Sequence, residues 1–309
     1  MILDKRRRRG AALGLAAVLA ATASPLVACT AARDAGASRD STAKLVVACT
    51  FSTLCSLVAA VGGDDVEVVG IVPVGASPET YEPTPSDVVA LNHAAVLFEN
   101  GLGLEAWLEK LLASANSGRV APVVLSDAVP AREKATGNPH LWMDPQYAAL
   151  YVHAIAAALA RSDPAHAQDY AANERAERSR LAALDRWIKA QVARIPADHR
   201  TMITFHDAWF YFDRRYGIDD VGAIEPSPGK DPSPAYFAQL IALARKHHVR
   251  AVFGEPQYSP KLAAALQSGA GIKTFADLYD DTIGIGKGLS TYEDIMRYDT
   301  RIIVGALQS

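Results

Sequence analysis

Four side chains able to ligate a divalent cation lie just beyond strand-like runs of this chain. Glu79 stands in the loop after the apolar run Val66 to Val72, and His140 follows the run Val120 to Leu125 and its long loop. His206 comes directly after Thr201 to Phe205, and Asp281 comes after Ile272 to Phe275. In open α/β sheets ligands bind beyond the carboxyl ends of the strands, so polar residues at these positions are the informative ones. Two come from each half of the chain, as a site in a cleft between two lobes requires. Two imidazoles and two carboxylates can replace the water around a divalent metal ion, and with a metal in place they could also activate a water molecule.

The elements that must carry these residues are read from hydrophobic periodicity. Strands are expected at Leu45 to Cys49, Val66 to Val72, Ala95 to Phe98 and Val120 to Leu125, with helices at Phe51 to Val61, Ser86 to His93 and Leu104 to Leu112. After a helical stretch from Tyr147 to Arg161 and a break at Asp163-Pro164, a polar run rich in Ala, Arg and Glu extends from about Ala165 to Arg194 with few turn signals. The alternation then resumes. Strands are expected at Thr201 to Phe205, Val221 to Ile224, Arg250 to Phe253 and Ile272 to Phe275, and helices at Ala208 to Tyr216, Ala235 to His248, Leu262 to Gln267 and Tyr292 to Leu307. Alternating strands and helices predict an α/β fold with two similar lobes of mainly parallel sheet. The expected boundaries are 45–164 and 195–309 for the lobes, joined by a long interdomain helix over 165–194.

Several separate motifs carry a family resemblance over nearly the whole chain, from Lys44 to Leu307. They are the loop Gly75-Ala76-Ser77-Pro78-Glu79-Thr80-Tyr81-Glu82-Pro83, the stretch Asn100-Gly101-Leu102-Gly103-Leu104-Glu105-Ala106-Trp107 and the run Asn138-Pro139-His140-Leu141-Trp142-Met143-Asp144-Pro145. In the second half Phe205-His206-Asp207-Ala208-Trp209 and Leu278-Tyr279-Asp280-Asp281-Thr282-Ile283-Gly284 complete the set. The chain resembles the TroA-like solute-binding proteins of zinc and manganese ABC importers. The resemblance implies a metal site on Glu79, His140, His206 and Asp281, with manganese, zinc or iron bound as cargo and no catalytic cofactor. It implies an ABC permease as partner and, through it, a cytoplasmic ATPase. The chain departs from the family at Glu79, where the family usually has histidine, which implies either a changed ligand set or a weakened site.

Other polar residues have structural readings. His93, His153 and His166 lie in helical segments, His199 in a turn, and His247-His248 at the last turn of a helix, where positive character suits the dipole. Glu225, in a loop rich in Pro and Gly, stands near the cleft as a neighbour of the ligands or an alternative to one, or simply opens a helix capped by Ser233. Glu255 resembles a family residue and is otherwise a partner for backbone amides. The sequence has no His-Glu-x-x-His helix and no Gly-x-Ser-x-Gly elbow. A metal-dependent hydrolase, the rival reading from another class, thus finds little support, and a surface adhesin-like lipoprotein is a third.

The N-terminus reads as an export signal. Lys5 and Arg6 to Arg9 precede an apolar run of small residues from Ala11 to Ala28, and Leu26-Val27-Ala28-Cys29 matches a lipobox in which Cys29 is acylated and becomes the first residue. Ordinary signal cleavage and an uncleaved anchor are the alternatives, and Pro25 argues against the anchor helix. Residues 29–44, small and polar, are expected to tether the lipid to the fold. Residues 1 to 28 hold five of the 31 Lys/Arg and, in Asp4, one of the 34 Asp/Glu, so their removal takes the formal charge from −3 to −7. Nothing in that balance suggests a nucleic-acid binder. The expected product is exported, periplasmic or on the cell surface, and monomeric. Export would permit Cys49, at a strand end, to pair with Cys55 near the start of the next helix, and a disulfide and two buried thiols both remain open.

Overall fold

The structure, a computed structural model, describes residues 44–115 and 120–308. The signal segment, Cys29 and the tether up to residue 43 lie outside the described residues. Among those described, the first four strands, β1 (Leu45–Cys49), β2 (Val66–Gly70), β3 (Val96–Glu99) and β4 (Pro122–Val124), form one sheet in the order β2-β1-β3-β4. Every pairing is parallel: Val47 lies opposite Val68 on one side and Val96 on the other. A second sheet repeats the pattern with β5 (Thr201–Thr204), β6 (Asp219–Ala223), β7 (Ala251–Gly254) and β8 (Thr274–Asp277) in the order β6-β5-β7-β8, again all parallel. In each sheet the strand order reverses beside the first strand, and such a switch point leaves a crevice at the carboxyl ends.

Between the strands run α1 (Ser52–Gly62), α2 (Pro85–His93), α3 (Leu108–Ser114), α4 (Pro145–Ser162) and α5 (Ala167–Val192), followed by α6 (Phe210–Tyr216), α7 (Pro234–Lys246), α8 (Lys261–Ala270) and α9 (Tyr292–Gln308). Their starts are chemically marked. The Asp144 carboxylate caps α4 by accepting from Gln146 N at 2.8 Å, the Ser233 hydroxyl accepts from Tyr236 N, and Thr84 forms a capping box with Asp87 ahead of α2; proline follows the cap in all three. The central helix is one element, as expected, but its 26 residues begin at Ala167 because Pro164–His166 forms a separate 3₁₀ turn. At 1.5 Å per residue it is about 39 Å long. It buries one stripe, Tyr170, Glu177, Leu181, Leu184, Ile188 and Val192, and leaves the rest polar.

Alternation along the strands divides the core. Met202, Ala251 and Phe253 join the large cluster that also holds the first sheet, α1, α4, α5 and α9, while Ile203, Val252 and Phe205 point the other way, toward Leu240 and Ala244 of α7 and Leu266 of α8. One apolar core therefore runs continuously from the first sheet to one face of the second.

Cys49 and Cys55 form a disulfide across a Cα–Cα distance of 5.4 Å, resolving the alternative left open by the sequence. Closing so short a loop contributes about 2 kcal/mol on chain-entropy grounds. Reduction, or the Cys49→Ser/Cys55→Ser pair, is expected to lower the thermal midpoint by several degrees. Equal melts with and without reductant would contradict this.

Candidate metal site

Each of the four expected residues stands past the carboxyl end of a different strand, and the structure brings all four together. Glu79, His140, His206 and Asp281 each offer a donor atom within 4.8 Å of the other three. The two imidazole Nε2 atoms are 3.1 Å apart. His140 Nε2 lies 3.5 Å from Asp281 Oδ1 and 3.9 Å from Glu79 Oε1, and His206 Nε2 lies 3.8 Å from Asp281 Oδ2 and 3.9 Å from Glu79 Oε2. A tetrahedral set with metal–donor distances of about 2.1 Å has edges of about 3.4 Å, so these separations suit a single ion at the centre. Glu79 Oε2 and both Asp281 carboxylate oxygens are buried without a hydrogen-bond partner. Buried polar atoms are rarely left so, and here they face one point.

The groups behind the donors fix their orientation. His140 opens the 3₁₀ turn Leu141–Met143, and its ring Nδ1 and backbone N both lie 3.0 Å from Asn138 Oδ1. With Nδ1–H donating there, Nε2 is left as the lone-pair donor. The Asn138 amide also donates to Asp207 O at 2.6 Å, tying the His140 loop to the His206 segment. His206 Nδ1 lies 2.7 Å from Glu255 Oε1, the carboxylate–imidazole arrangement that orients a metal-binding histidine. Sequence reasoning noted Glu255 but not this pairing, because the two residues are 49 positions apart and meet only when β5 and β7 pair side by side.

The adjacent aspartates divide their roles. Asp280 Oδ1 accepts from Asp281 N at 2.5 Å and from Gln257 Nε2, which also donates to Glu255 Oε2. The Asp280 carbonyl accepts from Trp142 Nε1 and Thr53 Oγ1, both at 3.1 Å, so side chains of the first half hold the segment that carries Asp281. Asp281 is the one whose oxygens face both histidines. Asp280 instead forms a second, buried grouping with His206 and Glu255 on the far side of the ring. Glu225, named as a neighbour or alternative ligand, accepts from Lys230 N of its own loop at 2.6 Å and lies outside the four-donor group.

Packing carboxylates and imidazoles this closely without counter-charge shifts their protonation. Burial, with Asp280 next in effect, holds the Asp281 carboxyl well above the ordinary range, and burial likewise raises Glu79. Burial and the neighbouring His206 push His140 well down. Burial would also lower His206, but Glu255 and Asp280 outweigh it and hold that ring well above the usual histidine range. Burial and neighbouring charge thus favour protonated His206 and Asp281 beside a neutral His140.

The family profile described as "Zinc-uptake complex component A periplasmic" matches residues 47–306. The chain belongs to this family. Among its relatives, the manganese-binding lipoprotein MntA of Halalkalibacterium halodurans is 33% identical over 278 residues, covering 89% of this chain and 92% of the relative. The iron-binding protein YfeA of Yersinia pestis is 31% identical over 253 residues, 81% of each chain. Of solved structures, the periplasmic zinc-binding protein TroA of Treponema pallidum superposes with a TM-score of 0.80 at 25% identity, covering 86% of this chain and all of the other. Family membership accounts for the repeated four-stranded sheets and the long helix between them in the chain. The relatives' names carry three different metals.

Proposed function

We propose that the protein is the extracytoplasmic binding component of an ABC importer for a divalent transition metal, manganese(II), zinc(II) or iron(II), with Glu79, His140, His206 and Asp281 as the ligands. The observation that carries this reading is the convergence of two oriented imidazoles and two carboxylates whose buried oxygens have no other partner. The ion is cargo, surrounded on all sides by protein donors, and this arrangement leaves no position for a reacting substrate; catalysis is not part of the reading. Glu79, with 10% of its side chain exposed against 4% or less for the other three, borders a cavity of about 830 Å³ and is the donor by which an ion enters.

We take residues 45–164 and 195–309 as lobes about the helix over 165–194. Their shared apolar core and the hydrogen bonds of Asn138 to Asp207 and of Tyr292 to Trp142 O then favour a small tilt and loop rearrangement on loading over a wide hinge swing. The loaded protein docks on a membrane permease driven by a cytoplasmic ATPase. Metal analysis of protein purified without added metal, followed by competition among manganese, iron and zinc, tests the assignment. Absence of stoichiometric metal under all three would overturn it.

Attachment to the membrane is assigned to lipid on Cys29, and no helix among the described residues is long and apolar enough to cross a bilayer. Two or three acyl chains on one cysteine anchor firmly where one chain does not. Cys29→Ser is expected to move the protein to the soluble fraction or leave an unprocessed precursor, as read by fractionation and mass. Normal processing and membrane attachment in that variant would remove the lipobox reading.

A further inference from the structure

The side chain next to Asp281 has no place in the ligand set, yet it reaches the loop that carries Glu79. Thr282 is 1% exposed and lies between β8 and α9, 207 positions from the Gly75 backbone N that donates to its Oγ1 at 2.8 Å. Its hydroxyl is held from behind by Ser52 of the first turn of α1, whose Oγ is 3.1 Å away and accepts from Ile283 N at 3.2 Å. Thr282 Oγ1 in turn donates to Ile283 O at 2.9 Å. With Ser52 donating, the Thr282 hydroxyl is fully used: its proton goes to Ile283 O, and its lone pairs receive Ser52 and Gly75.

The loop on the other side transmits that hold to Glu79. Ala76 N closes a turn onto Pro73 O at 3.1 Å, Glu79 N donates to Ser77 Oγ at 3.2 Å, and the ring of Pro78 stiffens the chain between them. Trp107 Nε1 fixes the Pro78 carbonyl from the first half of the chain at 2.6 Å. The tip of the loop is exposed. Val74 is 42% accessible, and a Cβ built on Gly75, whose φ is +86°, would meet nothing within 4 Å among the described residues. Hydrogen bonding rather than packing therefore fastens Gly75, and the oxygen that receives it belongs to the residue after a candidate ligand.

We propose that Thr282 is a positioning residue of the metal site, tying the Glu79 loop to the Asp281 segment so that the two carboxylates come into place together. The inference rests on the reading of Glu79 and Asp281 as ligands. Trp142 and Thr53 hold the Asp280 carbonyl, so the Asp281 segment is the fixed member of the pair. Glu79 is the most exposed of the four donors, and its loop is the member free to move once untied. Without the Thr282 hydroxyl, the Gly75 N–H exchanges a protein partner for water at little cost, since the position is exposed. Glu79 then samples more orientations, and a donor that must be ordered when the ion binds contributes less affinity. The ion leaves faster, while the other three donors still hold it.

The test measures the dissociation constant and dissociation rate of manganese(II) on the full-length protein, with a competing chelator and stopped flow. Thr282→Val keeps the side-chain shape and removes the hydroxyl. It is expected to weaken manganese about tenfold, mainly through faster release, whereas Thr282→Ser, which keeps the hydroxyl, stays within about threefold of the wild type. A double-mutant cycle separates positioning from a general loosening of the fold. In a Glu79→Ala background Thr282→Val is expected to cost less than about threefold, because no carboxylate is left to position. Wild-type affinity in Thr282→Val overturns the proposal, as does an equal loss in Thr282→Ser or an undiminished loss on top of Glu79→Ala. Should Thr282→Val fold poorly by near-ultraviolet dichroism, Ser52→Ala, which frees the Thr282 hydroxyl from behind, goes through the same cycle and is judged by the same outcomes. Failure of the four-donor reading looks different: Glu79→Ala and His140→Ala would themselves leave manganese binding unchanged, and the inference would fall with that reading.

Discussion

His140→Ala and His206→Ala are each expected to lower transition-metal affinity by more than about 100-fold, because removing even a group hydrogen-bonded behind a ligand costs about 10- to 100-fold. The protonation of the pocket adds a second signature. Metal binding at these residues is expected to expel the proton that Glu255 and Asp280 favour on His206 and the one that burial favours on Asp281. Affinity therefore rises with pH, by about tenfold per unit for each proton released. His140, pushed well down, is already neutral and releases none. Calorimetry in two buffers of different ionisation enthalpy counts the protons. At least one released per metal is expected in the wild type, and none would contradict the pocket's electrostatics. Near-ultraviolet dichroism is the control for folding, more needed for His206→Ala, which strips Glu255 of its buried partner. Wild-type binding by the double variant would locate the site elsewhere.

Much of the scaffold was legible because strands covered on both faces read as short apolar runs between amphipathic helices. The errors fall at element ends and have local causes. A helix was expected from Leu104, yet α3 starts at Leu108, since Gly101, Leu102 and Gly103 all take positive φ and turn the chain first. A strand was expected from Ile272, yet β8 starts at Thr274. Gly271 closes α8 in the left-handed conformation, and Ile272 N is spent on Gln267 O, so Ile272 belongs to the helix cap. The candidate ligands could be picked out as polar residues beyond strand ends, one strand at a time. What orients them could not. Asn138 reaching Asp207, Glu255 behind His206, and Thr53 with Trp142 on the Asp280 carbonyl are pairings between distant segments that exist only after the sheets assemble. The burial of Asp213 was missed for the same reason: in sequence it is one polar residue in an aromatic helix, and only the structure encloses it with Asp220 among its nearest charges.

Glu79→His is expected to lower the ratio of manganese to zinc affinity by about tenfold or more. The geometry gives the reason. Glu79 turns Oε1 toward His140 and Oε2 toward His206, and Asp281 does the same with its two oxygens, so each carboxylate straddles the centre. With two imidazole nitrogens this offers as many as six donors, four of them oxygen. Manganese(II) and iron(II) gain from the additional oxygens, whereas zinc(II) is content with four donors and favours nitrogen. Histidine at position 79 would leave three nitrogens and one carboxylate, nearer to zinc's preference. The loop ahead of His140 agrees with a cargo other than zinc, for residues 127–139 contain no histidine, whereas many zinc-specific members expand this segment into a histidine-rich loop. Absolute affinity does not decide the matter, since the Irving–Williams order makes zinc bind more tightly than manganese to most such sites. Losing the Glu79 charge also weakens every dication, and the ratio removes that common loss. Competition titrations of both metals against one chelator, in wild type and Glu79→His, supply it. A ratio unchanged or increased in the variant would mean that Glu79 does not set the selectivity of the site.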